Sequence, residues 1–299
     1  MTVLAKARRN RIVADLRAPS EEGRMSYAAI LVHVEAQPIG KARLELAADL
    51  ANDFEAALVG VGAEIFEPPS SASMGYVDGE VIKAEADTIE ADLKRAEAAF
   101  RNAAKRVRAG SEWAFAVAMP AEAAILRATT ADLIVAGPKT RLSWGFHTCA
   151  DPGDLLMGAG RPILVTPAGL ERLDASRTIV AWKNTREARR ALADALPFLK
   201  RAEEVAVVEV CERRDDAAAA ERLAEVVSYL GRHGVRAATE SRPRGKAQTA
   251  DVLVEIAEER KAGLIVAGGY GHARLREWAF GGVTSDLLSG YGVAVLLSH

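Results

Sequence analysis

The stretch Ala131-Asp-Leu-Ile-Val-Ala-Gly137 returns later in the chain as Lys261-Ala-Gly-Leu-Ile-Val-Ala-Gly268. This self-similarity constrains the fold more than any other feature. Asp-Leu-Leu also recurs, at Asp154–Leu156 and Asp286–Leu288. Each copy opens with an apolar run, Ala28–Val34 and Thr178–Trp182, and closes with another, Pro162–Thr166 and Val293–Leu297. A period of roughly 130–150 residues is too long for a stacked solenoid and reads as two copies of one domain. The 299-residue length agrees, at about 150 residues per domain.

The second copy reads most plainly. Thr178–Trp182 is a nearly continuous β-branched and apolar run, the pattern of a strand buried on both faces. Asn184 offers a helix cap, with Glu187 three residues on, close to a capping box. Ala188, Ala191, Leu192, Ala195, Leu196 and Leu199 then line one helical face. Val205–Val210 is a second strand, Ala217–His233 a second helix and Val235–Glu240 a weaker third strand. Thr249–Arg260 is a third helix, Leu264–Gly268 the fourth strand and Val293–Leu297 the fifth. Alternating strands and helices predict an open five-stranded parallel sheet with helices on both faces. The fold class is therefore α/β, two tandem Rossmann-like domains.

The first copy follows the same order with a longer second helix, about Gly79–Arg108, its stripe running through Ile82, Ile89, Leu93, Ala96, Phe100, Ala103 and Val107. The loop Glu67–Gly75 before it reads as a surface crossover or a lid. The domains are expected at 26–170 and 175–299, joined near Pro167–Ala175. Residues 1–25 are set apart as a basic tail with Lys6, Arg8, Arg9, Arg11, Arg17 and Arg24. Three readings apply to it: a mobile tail, a mis-set start with Met25 as initiator, or an arm for an anionic partner. Its apolar pieces are too short for a secretory signal. The last strands of the two copies are expected to pair across a pseudo-twofold axis and cover each other's edges.

Composition removes several functions. Net charge is −2, so no basic field favours nucleic acid. No run of about 18 apolar residues could span a membrane. Cys149 and Cys211 are far apart, which argues against a disulfide scaffold or zinc ribbon and fits the cytoplasm.

Ligands in such sheets sit at the carboxyl ends of the strands. After the fourth strand of the second copy come Gly268, Gly269, Gly271, Gly281, Gly282 and then Thr284 and Ser285. Glycines let backbone N–H groups approach an oxyanion, and the hydroxyls add donors. His272, Arg274 and Arg276 lie in the same loop. Generic motifs fail. A dinucleotide-binding G-x-G-x-x-G would need glycine at Arg274, and Gly40-Lys41 and Gly245-Lys246 are each followed by Ala rather than Ser or Thr. There is no G-x-S-x-G, no H-E-x-x-H and no clustered metal ligand set beyond the lone pair His147 and Cys149.

The spacing Gly268-x2-Gly271-x9-Gly281 followed by a small residue resembles the G-x2-G-x9-G-[ST] nucleotide loop of universal stress proteins. Ile179–Ala188 resembles that family's first strand and turn, and Ala262–Gly268 its fourth strand. The resemblance spans about residues 26–299, as a tandem member. It implies an adenine-nucleotide site in the second copy. Gly268, Gly271, Gly281, Gly282, Val283 and Thr284 would line the ATP phosphates and ribose, Val208 would lie near the adenine, and Trp182–Asn184 would cover adenine and ribose. Two positions depart from the pattern: Gly282 replaces a Ser or Thr, and Lys183 replaces an acid. Losing those hydrogen bonds would weaken binding by about 1–3 kcal/mol, tenfold or more.

The first copy departs further. Thr140 replaces the second glycine, and Asp151 and Pro152 stand near the positions of Val283 and Thr284. Proline has no N–H to donate and a carboxylate repels phosphate. Glu35 keeps the acid after the first strand. The first copy is therefore expected not to bind ATP.

The functional expectation is a stress-response sensor binding ATP in its second domain, not an enzyme, with adenine nucleotide, a homodimer and unidentified proteins as partners. Two alternatives stand beside it. One is a stress-response scaffold without nucleotide, its glycines serving turns and close helix packing. The other is a slow ATPase or phosphotransferase using Asp286 and His272.

Overall fold

The computed structural model describes residues 26–66, 79–139, 149–212, 216–270, 282–290 and 292–299. The first half runs β1 (Ala29–His33), α1 (Lys41–Asp53), β2 (Ala57–Glu64), α2 (Gly79–Ala104), β3 (Ser111–Val117), α3 (Pro120–Arg127), β4 (Leu133–Ala136), α4 (Pro152–Gly158) and β5 (Ile163–Val165). The second runs β6 (Arg177–Ala181), α5 (Arg186–Asp194), α6 (Leu196–Leu199), β7 (Glu204–Cys211), α7 (Asp216–Arg232), β8 (Ala238–Pro243), α8 (Thr249–Arg260), β9 (Leu264–Gly268), α9 (Gly282–Leu288) and β10 (Ala294–Ser298). The order of elements repeats as the sequence repeats.

All ten strands join one sheet in the order β3-β2-β1-β4-β5-β10-β9-β6-β7-β8. Every neighbouring pair is parallel except β5 and β10, which meet antiparallel with Ile163 opposite Leu297 and Val165 opposite Val295. The closing strands thus cover each other's edges. Leu133, Val135, Leu264, Val266, Leu164 and Leu296 share one core with α1, α2, α5 and α7. Ile134, Ile163, Ile265, Val295 and Leu297 share the other with α3, α4, α8 and α9. Alternate residues of each central strand enter opposite cores, which explains their unbroken apolar sequences. Tyr27, Phe54 and Phe198 join the halves, with ring centroids of Phe54 and Phe198 4.9 Å apart, and the Tyr27 hydroxyl donates to the Asp194 carbonyl at 2.7 Å.

Four expectations are corrected locally. Thr185, not Asn184, caps α5; its backbone is extended and its hydroxyl accepts from the Ala188 N–H at 3.3 Å, while the Asn184 amide oxygen accepts from Arg189. The expected helical face through Leu199 is split into α5 and α6 around Pro197, whose ring excludes a backbone donor. The third strand of the second half begins at Ala238; Val235 instead closes the turn after α7, its N–H donating to Leu230 and Gly234 standing at φ +80°. In α2, Ile82 is exposed and Val107 lies past the helix end, whereas Ile89, Leu93, Ala96, Phe100 and Ala103 are buried as expected.

Gly60 in β2 makes room for Phe100: a Cβ there would stand 2.3 Å from the Phe100 ring. Gly60→Ala is expected to destabilise the fold by about 1–2 kcal/mol through overpacking, read as a lower urea midpoint with unchanged slope.

Candidate functional site

The two ends of the second half's glycine loop meet. Gly268 closes β9, and Tyr270 follows in the left-handed region at φ +57°. The Tyr270 N–H donates to the Thr284 hydroxyl oxygen at 3.2 Å, tying the loop's entry to the first turn of α9. Thr284 is buried, so its hydroxyl braces the loop from inside. Gly282 opens α9, is exposed, and among the described residues nothing comes within 4 Å of where a Cβ would stand. Val283 is exposed at 37%. Gly271, Gly281, His272, Arg274 and Arg276 lie outside the described residues, as do His147, the stretch 67–75 and the basic tail.

Gly268 is required by packing. A Cβ on it would sit 2.5 Å from the Ala188 nitrogen and 2.7 Å from the Glu187 carbonyl carbon. The end of β9 therefore lies directly against the first turn of α5. Trp182 and Lys183 follow β6; the Trp182 N–H donates to the Val208 carbonyl at 2.8 Å and its ring packs partly on the core. Lys183 is exposed and its carbonyl accepts from Thr185 at 2.6 Å. Val208 is fully buried, and its carbonyl meets this turn through the Trp182 N–H. The β6–α5 turn, the end of β9 and the start of α9 thus converge at the carboxyl ends of the central strands.

The corresponding place in the first half is filled by the protein's own side chains. Glu35 follows β1 and pairs with Arg43 of α1. The Arg43 guanidinium lies over Gly137, where a Cβ would be 2.2 Å from its Nη1. Gly40 covers the other Glu35 oxygen, Oε2, with a Cβ position 1.9 Å away. Burial pushes the Glu35 carboxyl up, but Arg43 and His33, whose Nδ1 is 3.7 Å away, together bring it from 4.5 down to about 2. At α4, Asp151 is the N-cap and accepts from the Gly153 N–H at 2.7 Å and the Asp154 N–H at 3.2 Å. A carboxylate thus takes the N–H groups that an anion would need.

Arg43 is the functional residue that the sequence reading missed. Matching the buried faces of the two first helices places Leu44, Ala47 and Ala48 opposite Ala188, Ala191 and Leu192, and so Arg43 opposite Glu187. The sheet register likewise places Glu35 opposite Lys183. The two halves carry inverted charges at both positions, a signal present in the sequence.

Among the described residues there is no cluster of three His, Cys, Asp or Glu able to hold a metal, and no helix is long and apolar enough to cross a membrane. No protein-family model matches the chain, and no curated protein matches it. Solved structures do match along nearly the whole length. A universal stress protein from Archaeoglobus fulgidus superposes with a TM-score of 0.66 at 14% identity, covering 91% of this chain and 98% of that one. The fold is that of a tandem universal stress protein. A putative universal stress protein from Pseudomonas aeruginosa gives 0.54 at 16% identity, covering 93% of this chain and 95% of that one. A functionally unknown protein from the same species gives 0.51 at 15%, covering 93% and 94%. The fold match therefore spans both halves.

Proposed function

We propose that the chain is a stress-response regulator of the universal stress protein type whose second half binds an adenine nucleotide, ATP, while the first half does not. The observation that carries this reading is the Tyr270 N–H to Thr284 hydroxyl bond. It brings the backbone of Gly268–Tyr270 and of Gly282–Thr284 together at one end of the sheet. Position 283 is valine there, where the first half sets the carboxylate of Asp151. The phosphates would lie on the Gly282–Thr284 backbone, with Trp182 and Lys183 toward the nucleoside. Occupancy would order the glycine loop and shift binding of a protein partner. We assign no catalytic residue: Asp286 is an acid on α9, in the half-buried part of that helix. Two cysteines far apart in sequence, with no Cys-x-x-Cys spacing, suit the cytoplasm.

A second reading, a scaffold without nucleotide, has one observation in its favour. Gly268 is already required by the close approach of β9 to α5, whatever the loop binds. Nucleotide released by acid from fresh protein, together with ATP titration calorimetry on wild type and Gly271→Trp, separates the two. The expected result is one nucleotide per chain, lost in the variant. Two per chain would overturn the assignment of the first half, and no binding would favour the scaffold.

A further inference from the structure

Each half's post-strand segment crosses onto the last helix of the other half. Pro138 and Lys139 leave β4 toward the end of α9: the Lys139 N–H donates to the Leu288 carbonyl at 2.7 Å, and a Cβ on Gly290 would stand 2.9 Å from Pro138. Gly269 and Tyr270 leave β9 toward α4. A Cβ on Gly269 would stand 2.6 Å from Leu156, and a Cβ on Gly153 would stand 3.2 Å from the Tyr270 hydroxyl oxygen. The two crossings are related by the pseudo-twofold axis, but only the second delivers an aromatic ring. The Tyr270 phenol lies in the field of Asp151 and Asp154 of the first half, and burial followed by those two carboxylates pushes it up to about 12. It therefore stays protonated and neutral. His299 packs edge-on at 6.5 Å between ring centroids, and its Nδ1 is 3.3 Å from the Gly269 carbonyl.

Tyr270 thus makes two attachments in opposite directions. Its backbone N–H holds Thr284 in its own half, and its ring is lodged against Asp151 and Gly153 of the other. A tyrosine in the left-handed backbone region is strained, and such a residue persists where its surroundings fix it. The glycines flanking it supply no side chains to do so; α4 supplies the wall.

We propose that Tyr270 is a positioning residue that sets the entry of the second half's glycine loop against α4 of the first half, so that the half without a nucleotide shapes the site of the half that binds one. This rests on the nucleotide reading above. It also gives the first half a task that its filled cleft leaves open: Asp151 fixes the start of α4, and α4 fixes Tyr270.

The test uses full-length wild type, Tyr270→Phe, Tyr270→Ala and Gly153→Val, at a temperature where melting curves show all four folded. Gly153 lies in the first half, outside the proposed nucleotide site, and a valine there crowds the Asp151 carboxylate, 2.9 Å from its Cβ position, and the Tyr270 hydroxyl oxygen at 3.2 Å. Two readouts are needed. Hydrogen exchange of the Tyr270 amide without nucleotide reports the brace directly. It is expected to rise about tenfold in Tyr270→Ala and Gly153→Val and to stay near wild type in Tyr270→Phe, which keeps the ring. ATP titration is expected to show about tenfold weaker binding in the first two and little change in the third. The double variant Tyr270→Ala with Gly153→Val should be no weaker than Tyr270→Ala, because both cut the same link. Unchanged exchange in Gly153→Val overturns the brace. Raised exchange with unchanged ATP affinity overturns the positioning role. No ATP binding by wild type overturns the nucleotide reading and this consequence of it, while the exchange readout still decides whether the brace exists.

Discussion

Arg43→Met is expected to remove about 3–5 kcal/mol of folding stability, the cost of leaving a buried carboxylate without its cation. Glu35 is buried and Arg43 half-buried above it, and one Glu35 oxygen, Oε2, already has no hydrogen-bond partner. The pH dependence carries the sharper signature. In the wild type Glu35 titrates near 2 rather than 4.5. A depressed carboxyl contributes stability above its unfolded value and loses it as pH falls, here between about 4.5 and 2. The shift corresponds to about 3 kcal/mol at neutral pH. Without Arg43 the largest lowering cause is gone, and the carboxyl moves up from about 2. The variant therefore loses less stability on acidification than wild type does, and the gap between the two narrows as pH falls. Urea midpoints between pH 3 and 7 check this. Wild type should weaken toward pH 3, Arg43→Met should strengthen relative to it, and Glu35→Gln with Arg43→Met should lose most of the pH dependence. A midpoint in Arg43→Met equal to wild type at neutral pH would show that the pair contributes nothing to holding the first half closed.

The parts of this molecule written as apolar runs were legible in its sequence. Leu264–Gly268 and Thr249–Arg260 lie where periodicity places them, because a strand buried on both faces and a helix with one buried stripe tolerate few alternatives. The antiparallel seam followed from needing to cover two equivalent edges. The elements that slipped are those where packing decides among near-equal local options. Val235 has the side chain for a strand, but a turn stabilised by Gly234 claims it, and β8 is left as a half-exposed edge rich in Glu240 and Arg242. Those charges pair with Glu259 and Arg260 and leave the edge little used for further pairing. At the site, the glycine spacing located the loop but not why each glycine is there. Gly268 answers to the backbone of α5, a neighbour that follows β6 in a separate part of the chain. Arg43 was hidden for a similar reason: a long cation near a helix start reads as solvated until the fold brings Glu35 and Gly137 beneath it.

Lys183→Asp combined with Gly282→Ser is expected to tighten ATP binding by tenfold or more, about 1–3 kcal/mol from the hydrogen bonds restored. Both changes are sterically mild. No described residue lies within 4 Å of the Gly282 Cβ position, so a serine side chain there displaces none of them. Lys183 is exposed in the turn after β6, and an aspartate there would present an acceptor where Glu35 stands in the first half. Unlike Glu35, it would have Glu187 and not an arginine at the position equivalent to Arg43. The single variants separate the contributions. Gly282→Ser adds a donor toward phosphate and should help ATP more than adenosine. Lys183→Asp adds an acceptor toward the nucleoside and should help both alike. Lys183→Ala is the necessary comparison, because a lysine that reaches a phosphate in the wild type would make its removal costly. If titration shows the double variant no tighter than wild type, the loop between Gly268 and Thr284 does not hold the nucleotide in this way. The close packing of Gly268 on α5 would then be sufficient reason for that glycine.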